Sequence, residues 1–188
     1  MNHALQGKAA AKLEEAGPSS ALAFEVDVEK YFDFISEVLE SFVSAKKMKC
    51  VYVTSSIPSS TLIKALEVLG IDLSNVHFVD CVSKAIFGSA PSSDNISYVE
   101  SPTMLENIVL KVKYFLRKGG GNLLVVVDSA NAFAVYNDMR ILFEFFQILL
   151  NAVRSRGDYA AVISISSQTK PEVKEMLALV SDQVISLS

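Results

Sequence analysis

The chain has 188 residues, 51% of them hydrophobic and 20% charged, with a formal net charge of −4. That length suits a single α/β domain with a substantial core. No stretch approaches the roughly 18 uncharged apolar residues of a membrane span, and no long basic run offers the footprint that nucleic acid requires.

Met1 to Ser20 lacks an apolar core of signal-peptide type and runs through Ala, Lys and Glu to Gly17-Pro18-Ser19-Ser20, so it is expected as a loose N-terminal tail (1–20) of a cytoplasmic protein. Ala21 to Val26 has the length and composition of a strand, with Asp27 as N-cap of the helix that follows to about Ala45. Val28, Tyr31, Ile35, Val38 and Phe42 recur at three- and four-residue spacing and share one face. Lys46, Lys47 and Lys49 surround the end of that helix, where cations complement its dipole. Cys50 to Thr54 is a second strand, opening into Ser55-Ser56-Ile57-Pro58-Ser59-Ser60 before a helix that ends at Gly70. Hydroxyls and free N–H groups at a helix N-terminus can hold an anion, while Ser-rich loops commonly serve as turns and caps; Ser55 and Ser56 are therefore ligand-binding candidates. Val76 to Val79 is a third strand that ends on Asp80, and Cys81 to Ile96 is expected as an exposed loop. Cys50 and Cys81 are expected as buried thiols. With only His3 and His77 as histidines, the chain assembles no His/Cys cluster, and no metal or other cofactor is expected.

Ile96 to Val99 is a short strand, and Ser101-Pro102 suits the N-cap and first position of a helix through Arg117. Gly119-Gly120-Gly121 then reads as a C-cap and turn, since it precedes a strand and has no Lys-Ser/Thr after it. Leu123 to Asp128 follows as a buried central strand, five apolar residues delivering a carboxylate, with Ser129-Ala130-Asn131 as a loop before a helix over about Asp138–Arg154. That helix is apolar around most of its circumference, so it is buried on more than one side. Core packing is one explanation and a subunit or partner interface through Phe143, Phe146 and Leu150 is the other. Tyr159 to Ser166, Pro171 to Val180 and Gln183 to Leu187 complete a strand–helix–strand ending.

Strands alternating with helices predict a three-layer αβα sandwich with a mostly parallel central sheet, formed by residues 21–188 as one domain. In such sheets ligands bind outside the carboxyl ends of the strands, which makes Asp128, Ser129 and Asp80 candidates. An apolar strand ending in Asp is the context in which a carboxylate helps hold Mg²⁺ on nucleotide phosphates. The loop that would cradle those phosphates is missing: only Asp27 separates the first strand from its helix.

Taken in order, Val51-Tyr52-Val53-Thr54, Pro58, Leu62, Leu66, Gly70-Ile71-Asp72, Phe78-Val79-Asp80, Val125-Val126-Val127-Asp128-Ser129, Ser166-Ser167-Gln168 and Ser181 to Leu187 resemble the RecA/KaiC-like ATPases, particularly archaeal members. The resemblance implies a RecA-like P-loop NTPase fold without the P-loop. It implies that Asp128 stands at the Walker B aspartate and that Gln168 stands where the family often places a polar sensor. The water-activating acidic pair after the second strand reads Ser55-Ser56 here, and a hydroxyl without an adjacent base cannot take up a proton as a carboxylate does. The expected function is a non-catalytic interaction or regulatory module, assembling with itself or with a RecA/KaiC-like or signalling protein, with no catalytic residue. A nucleotide- or anion-binding protein without hydrolysis is the alternative. An unrelated enzyme using Asp80 and Asp128 as a carboxylate pair is the third reading.

Overall fold

The computed structural model describes residues 7–90 and 93–187. Seven strands form one sheet in the order β4-β3-β2-β5-β6-β1-β7, with every pair parallel. They are β1 (Ser20–Val26), β2 (Lys49–Thr54), β3 (Val76–Asp80), β4 (Ile96–Tyr98), β5 (Leu123–Asp128), β6 (Tyr159–Ile165) and β7 (Gln183–Leu187). β5 lies at the centre with all six residues buried, which is why it reads as a continuous apolar run rather than an alternating one.

Alternation along the strands still assigns each residue to a face. Leu123, Val125 and Val127 enter one core with α5 (Leu105–Gly119), α6 (Ala130–Tyr136), α7 (Met139–Arg154) and α8 (Pro171–Val180). Leu124 and Val126 enter the other with α1 (Lys8–Ala16), α2 (Tyr31–Glu37) and α3 (Ser59–Val68). Helices on both faces make the three-layer αβα architecture, and each fully buried large apolar side chain contributes about 1.5–3 kcal/mol to it. Among the described residues no helix is long and apolar enough to cross a membrane.

Several local expectations are corrected. Residues 8–16, expected within the loose tail, form α1: Ala9, Ala10 and Leu13 are buried, and Glu37 accepts the N–H groups of Ala9 and Ala10 at 2.7 and 3.0 Å. The helix expected from Asp27 to Ala45 is a composite of a 3₁₀ turn (Val28–Lys30), α2 and a π-helical segment (Val38–Ser44), and Val28 is exposed rather than on the buried face. Cys81 to Ile96 is not wholly an exposed loop, since Cys81, Val82 and Ser83 are buried and α4 (Ser83–Phe87) follows. Ser101 does not cap a helix at Pro102; its hydroxyl accepts the Thr103 N–H at 3.2 Å within a turn, and α5 begins at Leu105. Ser129 is the N-cap of α6 rather than the start of a loop, its hydroxyl accepting the Ala132 N–H. Cys50 and Cys81 are buried free thiols, as expected. Residues 1–6 of the expected tail, with His3, residues 91 and 92 of the expected loop, and Ser188 lie outside the described residues.

Candidate functional site

Asp128 ends the central strand with its side chain directed to the α2 face, and it is fully buried. Its Oδ2 atom accepts two tyrosine hydroxyls, Tyr31 from α2 and Tyr52 from the adjacent β2, the latter at 2.7 Å. The register puts Tyr52 opposite Val126 and Thr54 opposite Asp128, so the tyrosine reaches forward along the strand to the carboxylate. Ser56 approaches Oδ1 at 3.5 Å. Burial pushes the Asp128 carboxyl above the ordinary range, and the hydrogen bonds from Tyr31, Tyr52 and Ser56 offset that only in part. Burial, reinforced by the Asp128 charge, pushes both tyrosine hydroxyls far up, so they act as neutral donors.

The sequence candidates divide sharply. Asp128, Ser129, Ser55, Ser56 and Gln168 all line one cleft of about 440 Å³ outside the carboxyl ends of the central strands. Within it Ser55 is a latch: its N–H reaches the Asp128 carbonyl at 2.7 Å, its hydroxyl donates toward that carbonyl, and it accepts the Ser129 N–H at 3.2 Å. These bonds fix the turn after β5, where the Asp128–Ser129 peptide is cis. Ser56 and Gln168 are exposed at the mouth.

Asp80 stands apart and does not line the cleft. One oxygen accepts the N–H and hydroxyl of Ser59 at 2.8 and 2.6 Å and the Ser83 hydroxyl at 2.6 Å; the other accepts the N–H groups of Val82 and Ser83, both at 2.8 Å. Burial raises its pKa, yet the bonds from the hydroxyls and N–H groups of Ser59 and Ser83 outweigh burial and hold the carboxyl below its usual range. Asp80 is thus a saturated structural anchor for the starts of α3 and α4. It is not placed with Asp128 as a carboxylate pair.

The interface candidates on α7 are also corrected. Phe146 and Leu150 are fully buried in the core shared with β1, β5 and β6, and Phe143 is half-buried against it. The apolar surplus of this helix is explained by packing on the sheet and between α5 and α8, with Ile141 and Ile148 left exposed.

Sequence reasoning missed Tyr31, Tyr52 and Asn131. The tyrosines looked like apolar members of a helix face and a strand. Asn131 accepts the Ile165 N–H at 2.8 Å and donates to Thr169 Oγ1 at 2.8 Å, tying α6 to the end of β6. A signal existed for Tyr52: in parallel register it shares a sheet face with Asp128, and a strand tyrosine beside a buried acid needs a partner for its hydroxyl.

Between β1 and the 3₁₀ turn there is one residue, Asp27, whose carboxylate accepts the Ser166 hydroxyl from the end of β6. Among the described residues no group of three or more His, Cys, Asp or Glu side chains could hold a metal ion.

A family model described as a family of unknown function, DUF7090, matches residues 35–188. No curated protein is similar to the chain at a significant level. Among solved structures, the chain is similar to the KaiC-like protein PH0186 from the hyperthermophilic archaeon Pyrococcus horikoshii, with a TM-score of 0.69 and 14% identity over 97% of this chain and 78% of that one. At that identity the likeness is one of fold: the sheet and its two helical layers are RecA/KaiC-like.

Proposed function

The chain belongs to DUF7090, a family of unknown function, and we propose that it is a degenerate, non-hydrolysing RecA/KaiC-like domain that acts by associating with another protein chain. The observation that carries this reading is the enclosure of Asp128 by Tyr31 and Tyr52, beside a connection in which Asp27 alone separates β1 from the 3₁₀ turn. A carboxylate that helps hold a nucleotide's Mg²⁺ needs free oxygens facing the phosphates. Here one oxygen already accepts two hydroxyls, and the other has no phosphate-cradling loop opposite it. A phosphate-cradling loop needs several consecutive free N–H groups, and in this position the chain offers an aspartate. The Ser55-Ser56 pair adds no base to activate water.

Association with itself, with an intact RecA/KaiC-like relative of archaeal type or with a signalling protein is the role this leaves to the scaffold. Exposed apolar residues at the cleft mouth, Val28, Val135 and Tyr136, support a contact surface there. Light scattering over a concentration series, with phosphate release measured on the same sample, tests the reading. Assembly beyond the monomer without turnover is expected; Mg²⁺-dependent turnover by a monodisperse monomer would overturn it.

A second reading, a nucleotide or anion held without hydrolysis, is favoured by the size and position of the cleft and by Lys170 at its rim. Calorimetry with ATP, ADP and cyclic dinucleotides, with and without Mg²⁺, decides it: saturable heat supports it, and none at high concentration removes it.

A further inference from the structure

We propose that the cleft over Asp128 is a cation site, taking a guanidinium or ammonium group on an apolar stem, seated against Asp128 Oδ1 and the ring of Tyr136. The inference rests on the non-hydrolysing reading above, because a nucleotide would bring negative charge to the same place.

The two oxygens of Asp128 are unequally served. Oδ2 takes both tyrosine hydroxyls, whereas Oδ1 has only the Ser56 hydroxyl at 3.5 Å, beyond the usual range for an O–H···O bond. Ser56 is exposed and lines the cleft together with Asp128, whose side chain is itself fully buried, so a cation would reach Oδ1 by displacing the Ser56 hydroxyl. A buried carboxylate oxygen with so weak a donor keeps its capacity for a charge-assisted bond. None of the ion pairs among the described residues reaches Asp128. Its two hydroxyl donors carry no compensating charge, which leaves a buried carboxylate without a counterion.

The walls suit the rest of such a ligand. Val28, Val135 and Tyr136 are 59%, 75% and 53% exposed around the mouth, and Ile57 and Ala132 line the interior. Methylene groups of a stem would cover these side chains, and the exposed Tyr136 ring offers a face to a planar cation. Lys170 is the one basic residue lining the cleft, and it is exposed at the rim. Its charge is screened by water, while the Asp128 charge acts from a low-dielectric floor.

The test is NMR titration of the isotope-labelled full chain with two probes, agmatine as a free cation and acetyl-Leu-Arg-Leu-amide as a peptide side chain. Saturable shifts of the Ser56, Ile57 and Val135 amides are expected. Asp128→Asn, which keeps an oxygen for both tyrosines, should weaken binding by at least about tenfold. Ser56→Lys, at an exposed position, should do the same by placing a tethered ammonium over Oδ1. A stronger response to the peptide supports a partner's side chain as the source, and a stronger response to agmatine supports a free small cation. Absence of a saturable shift with either probe, or binding unaltered in both variants, would overturn the proposal. Phosphate release from ATP by the same sample would instead overturn the non-hydrolysing reading, however the probes behave.

Discussion

Asp80 and Asp128 are two buried strand-end carboxylates with opposite physics. Asp80 is surrounded by five donors and held below the ordinary carboxylate range against the effect of burial; Asp128 is left above it. A depressed folded-state pKa contributes stability that is present above the unfolded pKa and lost as pH falls through the folded one. Asp80→Asn, which turns an acceptor into a donor facing donors, should therefore destabilise by about 1–3 kcal/mol near neutral pH. In urea denaturation the gap from wild type should narrow as the pH falls below the usual carboxylate range. A raised folded-state pKa has the opposite sign: the ionised form of Asp128 costs stability at neutral pH, and that cost fades in acid. Asp128→Asn should match or exceed wild-type stability near neutrality, since an amide oxygen can still accept Tyr31 and Tyr52. The position of both acids was legible as the end of an apolar run. Their opposite roles were not, because they depend on donors from Ser59, Ser83, Tyr31 and Tyr52, brought in from other segments by folding.

At the scale of elements, α1 is docked by a side chain remote in sequence. Glu37 Oε1 holds the N–H groups of Ala9 and Ala10, while its Oε2 is buried without a partner and burial raises its pKa. Glu37→Ala should cost about 1 kcal/mol, as loss of a helix cap does, and hydrogen exchange at Ala9 and Ala10 should accelerate. Glu37→Gln, which retains one accepting oxygen, should preserve protection. The sequence reading missed α1 because Lys8–Ala16 is short and weakly apolar, so its helix depends on burying Ala9, Ala10 and Leu13 against α2 and β1. On α7 the periodicity was legible, but what covers its apolar face was not. The buried position of Phe146 leads to an expected loss of about 3–5 kcal/mol for Phe146→Ala. At exposed Ile148 a polar substitution should change stability by no more than about 0.5 kcal/mol. Urea midpoints for the two variants check the pair.

For the whole molecule, the alternation of strands and helices was enough to specify a parallel three-layer sandwich, because parallel strands require crossovers and crossovers require cover on both faces. The central place of β5 and the cleft at its carboxyl end followed from the same reasoning, and the structure brings Ser55, Ser56, Ser129 and Gln168 there with Asp128. The surroundings of Asp128 were not legible, since they turn on one tyrosine from a helix and one from a neighbouring strand closing on a single carboxylate oxygen.

The RecA/KaiC-like fold here carries a strand-end carboxylate, Asp128, with one oxygen taken by Tyr31 and Tyr52, and the proposed role is non-hydrolysing. Its most direct test is phosphate release from ATP with excess Mg²⁺ by the purified full chain, run beside Asp128→Asn. The expected result is no release above the buffer rate for either protein. Mg²⁺-dependent release by the wild type that Asp128→Asn abolishes would contradict it.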